Sequence, residues 1–192
     1  MTVTFEKRKK DFLGKIDKSD IGGWDEKIRG LCVKINNLDD YYSLSSCSGR
    51  VVLIKDVAKK ESGLFLFRTH DKINFKELIN EVKGIREIKY KGRVMFKQES
   101  CILHVACKDI SSAYKLLIKA RSCGWMQSGI ISIAETGNRV VVDLRSTESL
   151  SFPIFDKSKV IVDDKFLKII VKESNLRLER AWKKIQKLEK SI

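Results

Sequence analysis

The chain has 192 residues, a single proline, 43% hydrophobic and 33% charged positions, which excludes a long disordered or proline-rich segment and leaves enough apolar residues for a sizeable core. Its net charge of +14 points to a polyanionic partner, since cationic side chains near phosphates release condensed counterions; a lysine-rich solvated surface is the plain alternative. No stretch approaches the roughly 20 apolar residues of a membrane span, and no N-terminal apolar run resembles a signal peptide. The five cysteines have no regular spacing, so a reducing cytoplasm is expected and a disulfide scaffold is not.

Residues 3–18 are strongly basic, and Phe5, Phe12 and Ile16 fall near one face of an expected short helix, broken by Gly22 and Gly23. A second helix is expected at about 25–36, with Ile28, Leu31, Cys32 and Ile35 as its apolar stripe and Asp25 and Glu26 at its positive end. The β-branched run 50–57 reads as a buried strand and 64–69 as its hairpin partner. Asn74 with Glu77 three residues on is a capping box for a helix that Gly84 is expected to end. Strands follow at 93–98 and 101–107, then a helix over 110–123 stopped by Gly124. Strands 129–134 and 139–145 form a hairpin around Gly137 and Asn138, and a long basic helix starts near Asp163. Helices and strands are interspersed without strict alternation. The expected architecture is therefore α+β: one two-layer domain over 1–192, a mixed or antiparallel sheet with flanking helices and a long C-terminal helix.

The most informative stretch is Ser45-Ser46-Cys47-Ser48-Gly49-Arg50. Small hydroxyl residues and a glycine suit a tight loop whose backbone amides approach an anion, and Arg50 adds a planar fork for carboxylate or phosphate; an ordinary polar turn has the same composition. Cys47 is a nucleophile only if a base or a positive field activates it, and a small structural cysteine is the simpler reading. His70 and His104 each lie in or at the end of a strand, where a histidine is either a hydrogen-bonded structural residue or a proton acceptor. No metal site is expected, for there is no Cys-x-x-Cys pair and no His-x-Glu signature. No Gly-x-Gly-x-x-Gly or Walker loop is present either. Trp24, Trp125, Trp182, Tyr41 and Tyr42 are candidates for stacking on bases; Trp182 sits on an apolar stripe, and Trp125 is the better of the tryptophans.

Taken in order, Asn36, the 45–50 stretch, Thr69-His70, Glu99 leading to Ile102-Leu103-His104-Val105 and Cys107, Gly124 with Ser128-Gly129-Ile130, Arg145-Ser146-Thr147 with Leu150 and Pro153, and Asn175 resemble the third enzyme family of wybutosine synthesis, a family of transfer-RNA methyltransferases. The resemblance spans nearly the whole chain. It implies methyl transfer from S-adenosylmethionine to a ring nitrogen, N4, of a tricyclic 4-demethylwyosine-type guanosine that stands 3′ of the anticodon in phenylalanine tRNA. It also implies a cleft lined by the 45–50 stretch, His70, His104, Ser128 and Arg145. Ser45, Ser46, Cys47, Ser48 and Gly49 would anchor cofactor or substrate, Arg50 or Arg145 would pair with a carboxylate or an RNA phosphate, and His104 or else His70 would take the proton. Ile21, Ser100, Met126 and Ala181 stand where the family has lysine, proline, arginine and asparagine. Those departures motivate a rival reading, an RNA-binding module that kept the fold without the chemistry.

Overall fold

The structure, a computed structural model, describes residues 3–14, 23–59, 62–87 and 90–192. The expected continuation of the first helix over 15–18, and Ile21 and Gly22, lie outside them. The described elements are α1 (Phe5–Leu13), α2 (Glu26–Asn37), β1 (Tyr41–Cys47), β2 (Arg50–Lys55), β3 (Phe65–Thr69), α3 (Phe75–Glu87), β4 (Val94–Glu99), β5 (Ile102–Cys107), α4 (Ile110–Ser122), β6 (Gly129–Ile133), β7 (Val140–Arg145), β8 (Leu150–Asp156), β9 (Lys159–Val160) and α5 (Asp164–Ser191). All the described strand pairings are antiparallel, so the α+β class expected from the sequence is the observed one.

The chain forms two compact units, the first comprising Met1–Ser48, Cys101–Thr147 and Ala181–Ile192. Its sheet has the order β1-β5-β7-β6. Alternation along β5 and β7 sends Leu103, Val105, Cys107, Val140, Val142 and Leu144 to one face. There they meet Ile28, Leu31 and Ile35 of α2, Ala113, Leu116 and Leu117 of α4, and Ile185 and Leu188 of α5. Burying each large aliphatic side chain stabilises the fold by roughly 1.5–3 kcal/mol. On the opposite face α1 covers only one end, where Phe5 and Phe12 pack on Tyr42 with ring centroids 5.3 and 5.5 Å apart. Gly124 does end α4 as expected; its φ of +92° is open to glycine and strained for other residues.

The second unit comprises Gly49–Ser100 and Glu148–Arg180, around a sheet of order β3-β2-β4-β8-β9. Phe96 stacks on Phe152 at 5.3 Å, and Phe152 meets the edge of Phe166 at the same distance. The expected capping box of α3 is present, with the Glu77 amide donating to Asn74 Oδ1 at 2.9 Å. Asn175 on α5 clamps the segment ahead of α3: its Oδ1 accepts from the Ile73 amide at 3.0 Å and its Nδ2 donates to the Ile73 carbonyl at 2.8 Å.

Three sequence expectations change. Gly84 does not end α3, which continues to Glu87. Ile85 extends the buried stripe of Leu78 and Val82, and its burial outweighs the roughly 1 kcal/mol that a helical glycine costs. Ser45–Cys47 belong to β1, so the tight loop expected over 45–50 shrinks to Ser48 and Gly49 between two strands. β8 and β9 were not expected, because Pro153 and the polar run before it disguise a strand. Pro153 is tolerated opposite Met95, where the β4–β8 register shifts.

Asn175→Ala removes both bonds of the clamp and leaves the Ile73 groups half-buried without partners. Chemical denaturation is expected to show a loss of about 1–3 kcal/mol with an unchanged m-value.

Candidate active site

A polar row crosses three neighbouring strands of the first unit's sheet. Ser45 of β1 stands opposite His104 of β5, and His104 opposite Asp143 of β7. They occupy the face turned away from the helical core, because each lies between two core-facing residues of its strand or, for Ser45, opposite such a residue. Ser45 Oγ is 2.9 Å from His104 Nδ1, and His104 Nε2 is 3.4 Å from Asp143 Oδ1. Arg145, two residues along β7, reaches the other carboxylate oxygen at 3.2 Å. A carboxylate only accepts, so a proton on Nε2 would face Asp143 and leave Nδ1 to accept from the Ser45 hydroxyl, while a proton on Nδ1 would reverse the bond to Ser45. Asp143 is 16% exposed and His104 30%, so the carboxylate is largely covered while the ring stays accessible.

Ser128 supports this row from behind. Its buried hydroxyl donates to the Trp125 carbonyl at 2.7 Å and accepts from the Arg145 amide at 3.0 Å. That fixes the backbone of β7 where Arg145 projects, a positioning task in place of the ligand contact expected from the sequence.

The Ser45–Arg50 stretch is shaped differently from an open anion loop. The Ser48 amide already donates to Asp25 Oδ2 at 2.7 Å, so it is not presented to a ligand. The hydroxyls of Ser46 and Ser48 are buried and make no hydrogen bond of ordinary geometry, Ser46 having only the Cys32 thiol beside it. An orphaned buried hydroxyl costs on the order of 1–3 kcal/mol, which a polar ligand group would remove. Gly49, with φ +97°, makes the turn into β2. Arg50 belongs to the second unit, where its Nε bonds Glu99 and its guanidinium lies 5.1 Å above the Phe65 ring. His70 follows β3 in the same unit and is half-buried. The first unit thus brings Ser45, His104 and Arg145 together, with Ser128 behind them, Ser46 and Cys47 farther along β1 and Ser48 just after it. Gly49, Arg50 and His70 stand in the other unit.

Asp143 and Asp25 were missed in the sequence. Asp143 had one signal, an acid inside the otherwise apolar strand Val140–Leu144. Asp25 gave only the signal of a helix start. Trp125, the favoured stacking candidate, is fully buried, and its Nε1 donates to the Lys184 carbonyl at 3.2 Å. Trp182 is half-buried under Lys27, whose Nζ lies 4.5 Å from the ring centroid.

Burial pushes the Cys101 and Cys107 thiols up to about 12 and the Cys32 thiol up to about 11. None of the three is a nucleophile near neutrality, and all five cysteines are unbridged.

An α+β chain with this arrangement has solved counterparts. The structure of PH1069 protein from Pyrococcus horikoshii superposes with a TM-score of 0.84 at 31% identity, covering 97% of this chain and 93% of that one. Residues 7–192 match the family Methyltransferase TYW3, and the chain belongs to that family. Among named relatives, the Methanocaldococcus jannaschii "tRNA(Phe) 7-((3-amino-3-carboxypropyl)-4-demethylwyosine(37)-N(4))-methyltransferase" is 38% identical over 160 residues, 82% of this chain and 80% of that protein. The Danio rerio "tRNA wybutosine-synthesizing protein 3 homolog" is 32% identical over 98% of this chain and 74% of its own length.

A thiol titration checks the burial of the cysteines. With Ellman's reagent at pH 8, Cys32, Cys101 and Cys107 are expected to stay unmodified in the folded protein, since their raised pKa values keep them protonated. All five should react in guanidinium, and peptide mapping assigns which thiols were protected.

Proposed function

We propose that this protein methylates N4 of a 4-demethylwyosine-type guanosine at position 37 of tRNA(Phe), with S-adenosylmethionine as the donor. The observation that carries the reading is the Ser45–His104–Asp143 row, in a chain similar over most of its length to proteins named for that reaction. The family match runs through both units, which supports treating 1–192 as one functional domain.

S-adenosylmethionine supplies an electrophilic methyl group when bound. The buried hydroxyls of Ser46 and Ser48 suit its polar amino-acid end, which would give them the partners they lack. Replacing the N4 proton by methyl requires that proton to leave. Ser45 accepts it while passing its own hydroxyl proton to His104 Nδ1, and Asp143 stabilises the imidazolium that results. Arg145 holds the Asp143 carboxylate from the other side and adds positive charge beside the row. His104, embedded in this row, is the proton acceptor in preference to His70. Arg50, its Nε already committed to Glu99, suits an RNA phosphate better than a second carboxylate. No helix among the described residues is long and apolar enough to cross a membrane, and the unbridged cysteines support a cytoplasmic setting.

Single-turnover transfer of labelled methyl to hypomodified tRNA(Phe) tests the relay. His104→Ala is expected to slow it by about 10²–10⁴-fold, and Ser45→Ala to slow it by a comparable factor. tRNA affinity should stay within about threefold, because the relay assigns both side chains to the proton and neither to a phosphate. A His104→Ala enzyme as fast as the parent would remove His104 from the chemistry.

The charge of +14 makes a separate prediction. Filter-binding affinity for the tRNA should fall linearly on a log–log plot against salt, and Arg50→Ala should lower the slope by about one. A slope near zero would mean that phosphate contacts contribute little.

A further inference from the structure

One edge of the first unit's sheet is apolar and uncovered. β6 is the terminal strand of that sheet, and its sequence Gly-Ile-Ile-Ser-Ile has neither the charge nor the proline that usually blunts an edge. Ile131 and Ile133 are each 57% exposed, and Ile130 is 38% exposed. The register shift between Ile130 and Ser132 sets Ile131 outside the ladder with β7. A second apolar row runs along α4, where Ile110, Tyr114 and Ile118 at successive i+4 positions are 53%, 65% and 53% exposed. The two rows are tied together at one end. Arg121 continues the α4 stripe three residues after Ile118, and its guanidinium donates to the Ser128 carbonyl, immediately ahead of β6, at 2.9 Å. Six large apolar side chains in one patch are far from the singly scattered exposures of an ordinary surface.

We infer that this patch is the interface of a two-fold dimer between copies of the chain. A two-fold axis through Ile131 sets β6 antiparallel to its mate and lays each α4 stripe against the other copy's patch, a self-complementary contact. Covering the six side chains on both copies removes about 1,200 Å² from water, the lower bound of a specific interface before the polar rim is counted. The charges at the two ends agree with this geometry. Glu135 follows β6, and Arg121 stands beside its start; the axis brings Glu135 of one copy towards Arg121 of the other. RNA is the poorer occupant, since the six positions carry no charge and offer a single aromatic ring.

Sedimentation equilibrium on the full chain over a dilution series, without RNA, is the test. The parent should approach twice 22.1 kDa at high concentration. Ile131→Lys and, separately, Tyr114→Glu should weaken dimerisation by at least about tenfold, because a charge would be buried at the centre of the contact. Both positions are exposed in the single chain, so circular dichroism, and melting at concentrations where the parent is monomeric, should be unchanged. Ile169→Lys, an equally exposed change on α5, should leave the dimer intact. A parent at 22.1 kDa throughout, or a dimer indifferent to both substitutions, overturns the inference. So does a monomeric parent whose tRNA affinity falls on Ile131→Lys, which would make the patch an RNA surface.

Discussion

The antiparallel register of β1, β5 and β7 is the constraint on which the candidate chemistry depends. It sets Ser45, His104 and Asp143 directly opposite one another. Because strand side chains alternate with period two, a slip of one residue in β5 would bury His104 among Leu116, Ile185 and their neighbours and expose Leu103 and Val105. The cost of exposing those core residues is several kcal/mol, far more than the polar row could contribute on its own. The hydrophobic core of the first unit thus holds the row in register, and the row need contribute little to stability. That division leaves Asp143 and His104 at a spacing set by the sheet.

The same unit keeps its polar groups satisfied where they build structure and leaves them unsatisfied where a ligand would act. Ser128 uses its hydroxyl as both donor and acceptor; Asn36 accepts from the Ser43 amide at 2.7 Å and ties α2 to β1; in the second unit Asn175 clamps Ile73 on both backbone groups. The hydroxyls of Ser46 and Ser48, like Asp143 Oδ1 and Trp182 Nε1, are buried and make no hydrogen bond of ordinary geometry. Native proteins rarely leave such groups unpaired without a functional reason, and the two serine hydroxyls, more than the exposed cations, support the proposed binding of a small polar ligand there. Net charge explains attraction to an RNA in general; orphaned hydroxyls discriminate among ligands at close range.

Most helices and the strands β2 to β7 were legible in the sequence, because their apolar residues keep the period of 3.6 or 2 and their ends carry recognisable caps. What was not legible depended on partners distant in the chain. Tyr41–Cys47 has few β-branched residues, and its strand state comes from pairing with Ile102–Cys107, some sixty positions away. β8 carries a proline that local rules read as a break, and β9 consists of two residues that pair only with the end of β8. In the polar row, His104, Ser45 and Arg145 were named from residue type and from the family resemblance, and the sheet brings them together. Asp143 could not be named, since nothing local shows that its carboxylate faces a histidine on the neighbouring strand. Trp125 failed for the opposite reason: a tryptophan in a glycine-flanked turn looks exposed, yet its indole fills the core and its N–H finds the Lys184 carbonyl.

Asp25 shows how far local rules extend. It is the N-cap of α2, a position where an aspartate ordinarily accepts a hydrogen bond from the first turn of the helix and so stabilises it by about 1 kcal/mol. Here no side-chain cap bond forms. The carboxylate turns instead to the Ser48 amide, 23 residues away, while the Asp25 carbonyl still accepts from Ile28 and Arg29. Removing the cap bond costs the helix little, because its stripe of Ile28, Leu31, Cys32 and Ile35 is fully buried. The diverted carboxylate satisfies the Ser48 amide, closing to a ligand the backbone donor that the serine-glycine composition advertises. The small residues along Ser45–Arg50 therefore serve close packing and the left-handed turn at Gly49 more than an amide cradle.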